Sequence, residues 1–153
     1  MFRKLWPLSS NSSESTAFQV ISDLHLEINQ QYSSLEIPAR AKYLILAGDV
    51  GRLTDYHAYR DFIRELTIRF ELVFLILGNH EFYNSTFAAG LEKSKQLERD
   101  SGMNGRLVLL HRKRYDISGT RLSILGYTLW SAVPDHTKDI VQAKFKDFQM
   151  IEG

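Results

Sequence analysis

Three short clusters in this chain hold the residue types from which a hydrolytic metal site can be assembled: Ser22-Asp23-Leu24-His25, Gly48-Asp49-Val50-Gly51 and Gly78-Asn79-His80-Glu81. With Glu81 set aside as a supporting residue, they supply two carboxylates, two imidazoles and an amide oxygen. Carboxylates brought close together repel one another unless a cation sits between them. Mixed oxygen and imidazole donors suit Mn, Fe, Zn or Ni better than calcium. Asp23 and His25 lie two apart, so on an extended strand end both would point the same way and could chelate one ion. Gly48 permits a sharp turn, and Asp49 follows it with two oxygens able to bridge two ions. Gly78 does the same for Asn79, whose carbonyl oxygen suits the second ion. His80 faces away from Asn79 and stays free for proton transfer. Two ions so held clamp a phosphate and activate a water. The bland alternative is turn chemistry, since Asp and Gly mark strand ends in any α/β protein. That explains one such cluster well and three in register poorly.

Each cluster follows an apolar run, and those runs are what must position it. Ala17 to Ile21, Lys42 to Ala47 and Leu72 to Leu77 lack strict alternation, as strands buried on both faces of a parallel sheet do. Parallel strands would bring all three clusters to the carboxyl edge, where open α/β sheets bind ligands. A helix is expected between the second and third runs. Thr54 is its expected cap, Asp55 suits its positive end, and Tyr59, Phe62, Ile63, Leu66 and Phe70 share one face. Glu65 and Arg69 make an i,i+4 pair. Asn84 or Ser85 is expected to open a second helix, with Phe87, Leu91 and Leu97 inward and Gly102 closing it. Further strands are expected over Arg106 to Leu110, Arg112 to Ser118 and Arg121 to Gly126, with Ser118-Gly119 as a hairpin turn. A last helix, Lys138 to Gln149, would bury Val141, Phe145 and Phe148.

Asp-x-His, then Gly-Asp, then Gly-Asn-His-Glu, each after its strand, resembles the pattern of the calcineurin-like metallophosphoesterase superfamily over Phe18 to Glu81. The resemblance implies a partial four-layer α/β/β/α sandwich with a mostly parallel first sheet. It implies a metal-dependent phosphoester hydrolase acting through a metal-activated water and using two divalent ions in the complete family site. Asp23, His25 and Asp49 would hold the first ion, and Asp49 and Asn79 the second. His80 would stand beside the phosphate, stabilising it or protonating the leaving oxygen. Glu81 reads as a supporting or capping residue outside the ligand set. The family's later histidines, ending in Gly-His-x-His, have no counterpart, for no Gly-His dipeptide occurs here. The domain is therefore expected to span residues 17–153 and to be C-terminally incomplete, with a non-enzymatic binding or scaffold module as the alternative. Of the remaining histidines, His57 is expected on a solvated helix face, His111 as a satisfied edge residue and His136 at a helix entry. Arg52 and Asp55 do not reproduce the family's phosphate-clamping Asp-Arg.

The bulk composition narrows the partners. Nineteen basic against 18 acidic residues leave a net charge of +1, which gives no electrostatic case for nucleic acid or a membrane surface. A small phosphoester or a phosphoprotein is the expected substrate. The absence of Cys excludes disulfides, thiolate metal sites and a Cys nucleophile, and it fits a cytoplasmic location. Residues 1–16 carry no signal-like apolar run and read as a loose tail. Leu122, Ile124, Leu125, Leu129 and Trp130 are expected to form an exposed apolar patch, open to a covering partner.

Overall fold

The computed structural model describes residues 16–152. The expected tail therefore lies outside the described residues except for Thr16. Four strands, β1 (Phe18–Ile21), β2 (Tyr43–Ala47), β3 (Leu72–Ile76) and β5 (Leu107–Leu109), form one parallel sheet in the order β1-β2-β3-β5. The register pairs Val20 with Ile45 and Leu46 with Leu75, so all three chemistry-bearing clusters leave the same edge. The α/β reading and its parallel sheet hold.

One face of the sheet is covered by α1 (Tyr56–Arg69) and α2 (Phe87–Arg99). Tyr59, Phe62, Ile63, Leu66 and Phe70 are all buried there, packed with Leu44, Leu46, Val73 and Leu75. The expected stripe of α1 is thus the stripe that packs. Its start differs: a 3₁₀ turn over Leu53–Asp55 precedes α1, and the Thr54 hydroxyl donates to the carbonyl of Tyr83. Arg69 likewise turns to the Ile37 carbonyl and does not pair with Glu65. Helix α2 is capped by Thr86, whose hydroxyl accepts from the Ala89 N–H, following the short strand β4 (Ser85–Thr86). It ends at Arg99, three residues before Gly102, because Asp100 turns away to cap the next 3₁₀ turn by accepting from Gly102 N–H.

The other face carries a second, smaller cluster of Tyr43, Phe74, Val108, Leu110 and Ile117. It is covered by the antiparallel pair β6 (Lys113–Asp116) and β7 (Ser123–Gly126), joined through a turn in which Gly119 adopts φ of 74°. The last expected helix is broken. Phe145 is extended and separates α3 (Lys138–Lys144) from α4 (Asp147–Met150), after which β8 (Ile151–Glu152) pairs with β4. Phe145 and Phe148 are 58% and 50% exposed, where burial was expected. Seven residues cannot present a long apolar stripe.

Candidate metal centre

The ends of β1, β2 and β3 do not simply run out into extended loops. Asp23, His25 and Asp49 all adopt positive φ, at 56°, 48° and 54°. Non-glycine residues seldom accept that region, and where they cluster the surrounding structure must hold them. Three backbone bonds do part of the holding: Asp23 N–H donates to Gly48 O, His25 N–H to Asp49 O and Leu26 N–H to Val50 O. The extended geometry expected for Asp23-x-His25 is therefore replaced by two left-handed turns. Curling the backbone, and not side-chain alternation, brings the pair together. One ligand atom from each of Asp23, His25 and Asp49 lies within 4.8 Å of the others.

Glu81 joins the second and third clusters. It is fully buried and accepts backbone N–H bonds from Asp49 at 3.1 Å, Val50 at 2.8 Å and Gly78 at 2.6 Å, with a longer one from Gly51 at 3.4 Å. The Tyr59 hydroxyl of α1 adds a fifth donor. Burial nevertheless dominates and pushes the Glu81 carboxyl up to about 7, the backbone donors pulling the other way. The two loops meet with no room between them. A side chain at Gly78 would collide with the Asp49 carboxylate, so glycine there is a packing requirement. The same carboxylate accepts from His80 N–H at 3.0 Å, which ties the third loop to the second.

Asn79 sits where Tyr83 and Asp147 both reach its amide nitrogen, at 3.1 and 2.8 Å. With the nitrogen so engaged, its carbonyl oxygen is the group Asn79 can offer an ion. Asp147, from the start of α4, also accepts from the Tyr83 hydroxyl at 2.7 Å. Asp147 and Tyr83 carry no motif signal, because only the return of the C-terminal segment brings Asp147 to the third cluster.

His80 packs flat on Tyr83, ring centroids 4.2 Å apart, and its Nδ1 lies 2.6 Å from Glu27 Oε1 and 3.2 Å from His25 Nδ1. Sequence reasoning passed over Glu27. The one signal was its alternation with the first cluster, Asp23-x-His25-x-Glu27. His25, Glu27 and His80 form a second group of candidate donors, again within 4.8 Å. The Glu27 side chain is 8% exposed, and its Oε2 is buried without a hydrogen-bond partner. The Asp23, His25 and Asp49 group, two carboxylates and an imidazole with donor atoms within 4.8 Å of one another, is the mixed oxygen and nitrogen set that a first-row divalent cation takes, so the donor set fits one.

The family model for calcineurin-like phosphoesterases matches residues 17–144. The chain belongs to the calcineurin-like phosphoesterase family. Among solved structures, one similar to it is the phosphopantetheinyl hydrolase of Mycobacterium tuberculosis, with a TM-score of 0.57 and 21% identity. That alignment covers 88% of this chain and 54% of the other, so this chain spans about half the length of that relative. A comparison with curated proteins gives no match.

The remaining sequence-predicted residues of this calcineurin-like phosphoesterase stand apart from the cluster. His57 and His136 are exposed. His111 was expected to be satisfied, and it is not. Its Nδ1 is buried and unpartnered between the rings of Phe87 and Tyr127, and burial with nearby Arg112 and Lys95 pushes its pKa down. Arg52 is engaged by Asp55 at 3.1 Å. The three consecutive basic residues that lead into β6 are partnered: Arg112 donates to the Tyr127 hydroxyl, Lys113 pairs with Glu98 and Arg114 with Asp116.

Proposed function

We propose that this chain carries the metal-gathering part of a divalent-metal-dependent phosphoester hydrolase. The observation that carries the reading is the convergence of Asp23, His25 and Asp49 on left-handed backbone, donor atoms within 4.8 Å, in a chain of this family. Asp23, His25 and Asp49 would hold one ion, and Asp49 with Asn79 a second. When bound, such ions supply Lewis acidity to a phosphate oxygen and lower the pKa of a water.

The chain's own residues do the rest. Glu81 holds the Asp49 and Gly78 backbones so that the Asp49 carboxylate would need little reorganisation to take up an ion. Asp147 and Tyr83 orient the Asn79 amide. His80, tied at its backbone N–H to the Asp49 carboxylate and at its ring face to Tyr83, donates a proton to the leaving oxygen or a hydrogen bond to the phosphate. The substrate proposed is a small phosphoester or a phosphoprotein. Two ions drawn from Mn, Fe, Zn or Ni are proposed, and a cytoplasmic location accords with the lack of Cys. No helix among the described residues is long and apolar enough to cross a membrane.

The test is hydrolysis of a chromogenic phosphoester by the full chain with added Mn²⁺. Turnover that requires the ion and falls by roughly two orders of magnitude or more in His80→Ala is the expected result. No metal-dependent turnover would leave the second reading, a non-catalytic binding module of the same fold. That reading draws on the apolar side chains of the hairpin and the segment after it, where Leu125 is 77% and Leu129 87% exposed and a partner could pack.

A further inference from the structure

We propose that Glu27 is the positioning residue for His80: its carboxylate accepts from His80 Nδ1–H, which sets the tautomer of the neutral ring and, in the imidazolium form, leaves Nε2–H to donate to the leaving-group oxygen. The proposal rests on the hydrolase reading above for the role of His80, while the tautomer itself does not depend on turnover.

The geometry is that of a carboxylate–imidazole pair. Glu27 Oε1 lies 2.6 Å from His80 Nδ1, shorter than an ordinary N–H···O bond as a charged acceptor favours, whereas His25 Nδ1 stands 3.2 Å from the same atom. One ring N–H cannot serve both at full strength, and the closer, charged acceptor takes it. The pair is largely shielded from water, with the Glu27 and His80 side chains 8% and 23% exposed. The ring is also held in its plane by the stacked Tyr83, whose hydroxyl is anchored on Asp147. Two constraints, one on the ring edge and one on its face, leave His80 a single orientation. A carboxylate that orients a working histidine through the opposite ring nitrogen is a recurrent device in enzymes.

Packing alone does not explain Glu27. A buried carboxylate with an unpartnered oxygen costs free energy, and an apolar residue would fill the same space without that cost. Its second oxygen could instead be a metal ligand, since Glu27 belongs to a donor group with His25 and His80. The two roles make opposite predictions, which the following experiment separates.

The full chain, free of metal, is labelled with ¹⁵N, and the His80 ring nitrogens are read by long-range ¹H–¹⁵N correlation at a pH above which the ring signals stop changing. Neutral histidine in water favours Nε2–H, so Nδ1–H on His80 is the expected signature. Glu27→Leu is expected to return His80 to Nε2–H, and Glu27→Gln, which keeps an acceptor oxygen, to retain Nδ1–H in part. Calorimetric titration of each variant with Mn²⁺ alone is expected to show less than a threefold change in affinity. With an active chain, kcat falls roughly 10- to 100-fold in Glu27→Leu with KM little altered. Nε2–H in the unsubstituted chain overturns the proposal, and so does a tautomer indifferent to Glu27→Leu. A tenfold or greater loss of Mn²⁺ affinity in Glu27→Gln also overturns it, by making Glu27 a ligand. Should Glu27→Leu fail to fold, the unsubstituted spectrum still decides. Loss of the hydrolase reading shows separately, as Mn²⁺ that binds nowhere or turnover that never appears while the tautomer stands.

Discussion

Asp49 is the residue on which most of the site's geometry converges. Its carboxylate accepts from His80 N–H, fills the space left by the missing side chain of Gly78, and lies within reach of Asp23 and His25. If it also bridges to the ion that Asn79 helps to hold, its loss must weaken both sites. Asp49→Asn is therefore expected to cut Mn²⁺ affinity more than Asn79→Ala does, by tenfold or more in a calorimetric titration. Equal losses would remove the bridging role. The same residue shows where spacing reasoning is strong and where it is weak. Gly-Asp after a buried strand pointed to Asp49 as a ligand candidate, but the left-handed φ of Asp23, His25 and Asp49 follows from contacts between loops, which no local pattern encodes.

Between elements, the decisive connection is Glu81. It ties the loop after β2 to the loop after β3 through backbone donors from Asp49, Val50 and Gly78, and ties both to α1 through Tyr59. Replacing it by Leu strands those donors, at about 1–3 kcal/mol for each one left unpaired and buried. Glu81→Leu is accordingly expected to destabilise the chain by at least about 3 kcal/mol in urea unfolding and to abolish Mn²⁺ binding with it. The carboxyl's pKa of about 7, raised by burial from 4.5, gives a pH signature as well. The folded chain holds this proton more tightly than the unfolded chain, so the group's stabilising contribution is complete below about 4.5 and is lost as pH rises through about 7. In the metal-free protein the urea midpoint should fall across that window, and Glu81→Gln should flatten the fall. A slope unchanged in Glu81→Gln would assign it to another group.

At the scale of the molecule, the parallel sheet is unevenly covered among the described residues. One face of the parallel sheet is sealed by α1 and α2, while on the other the β6–β7 hairpin reaches only the cluster around Tyr43 and Phe74. Val20, toward the carboxyl end of β1, is left 62% exposed. A groove of about 920 Å³ runs from Ala47 and Ile76 to Trp130, Val141 and Phe148. Leu122, Leu125, Leu129 and Trp130 stand exposed as expected, whereas Ile124 packs against the second cluster, because alternate residues of β7 face opposite ways. Apolar surface of this kind promotes association. The chain should self-associate with rising concentration in sedimentation velocity, and the pair Leu125→Glu with Leu129→Lys should shift it toward monomer with little loss of stability, since both side chains are already in water. A monomeric unsubstituted chain at high concentration would contradict this.

The sequence by itself determined the sheet, the buried face of α1 and the five candidate site residues, because each is written in local terms. Apolar runs without alternation make buried parallel strands, and polar residues directly after them must gather at one edge. Tertiary structure alone decided the rest. Glu27 reached His80, and Asp147 reached Asn79, across separations of 53 and 68 residues. Phe145 ended a helix that periodicity continued, and His111 lost the partner a strand edge normally provides. In every such case the outcome turned on which distant group arrived within hydrogen-bonding or packing distance. That is a property of the folded chain, since spacing constrains neighbours on one element and leaves open what packs against it.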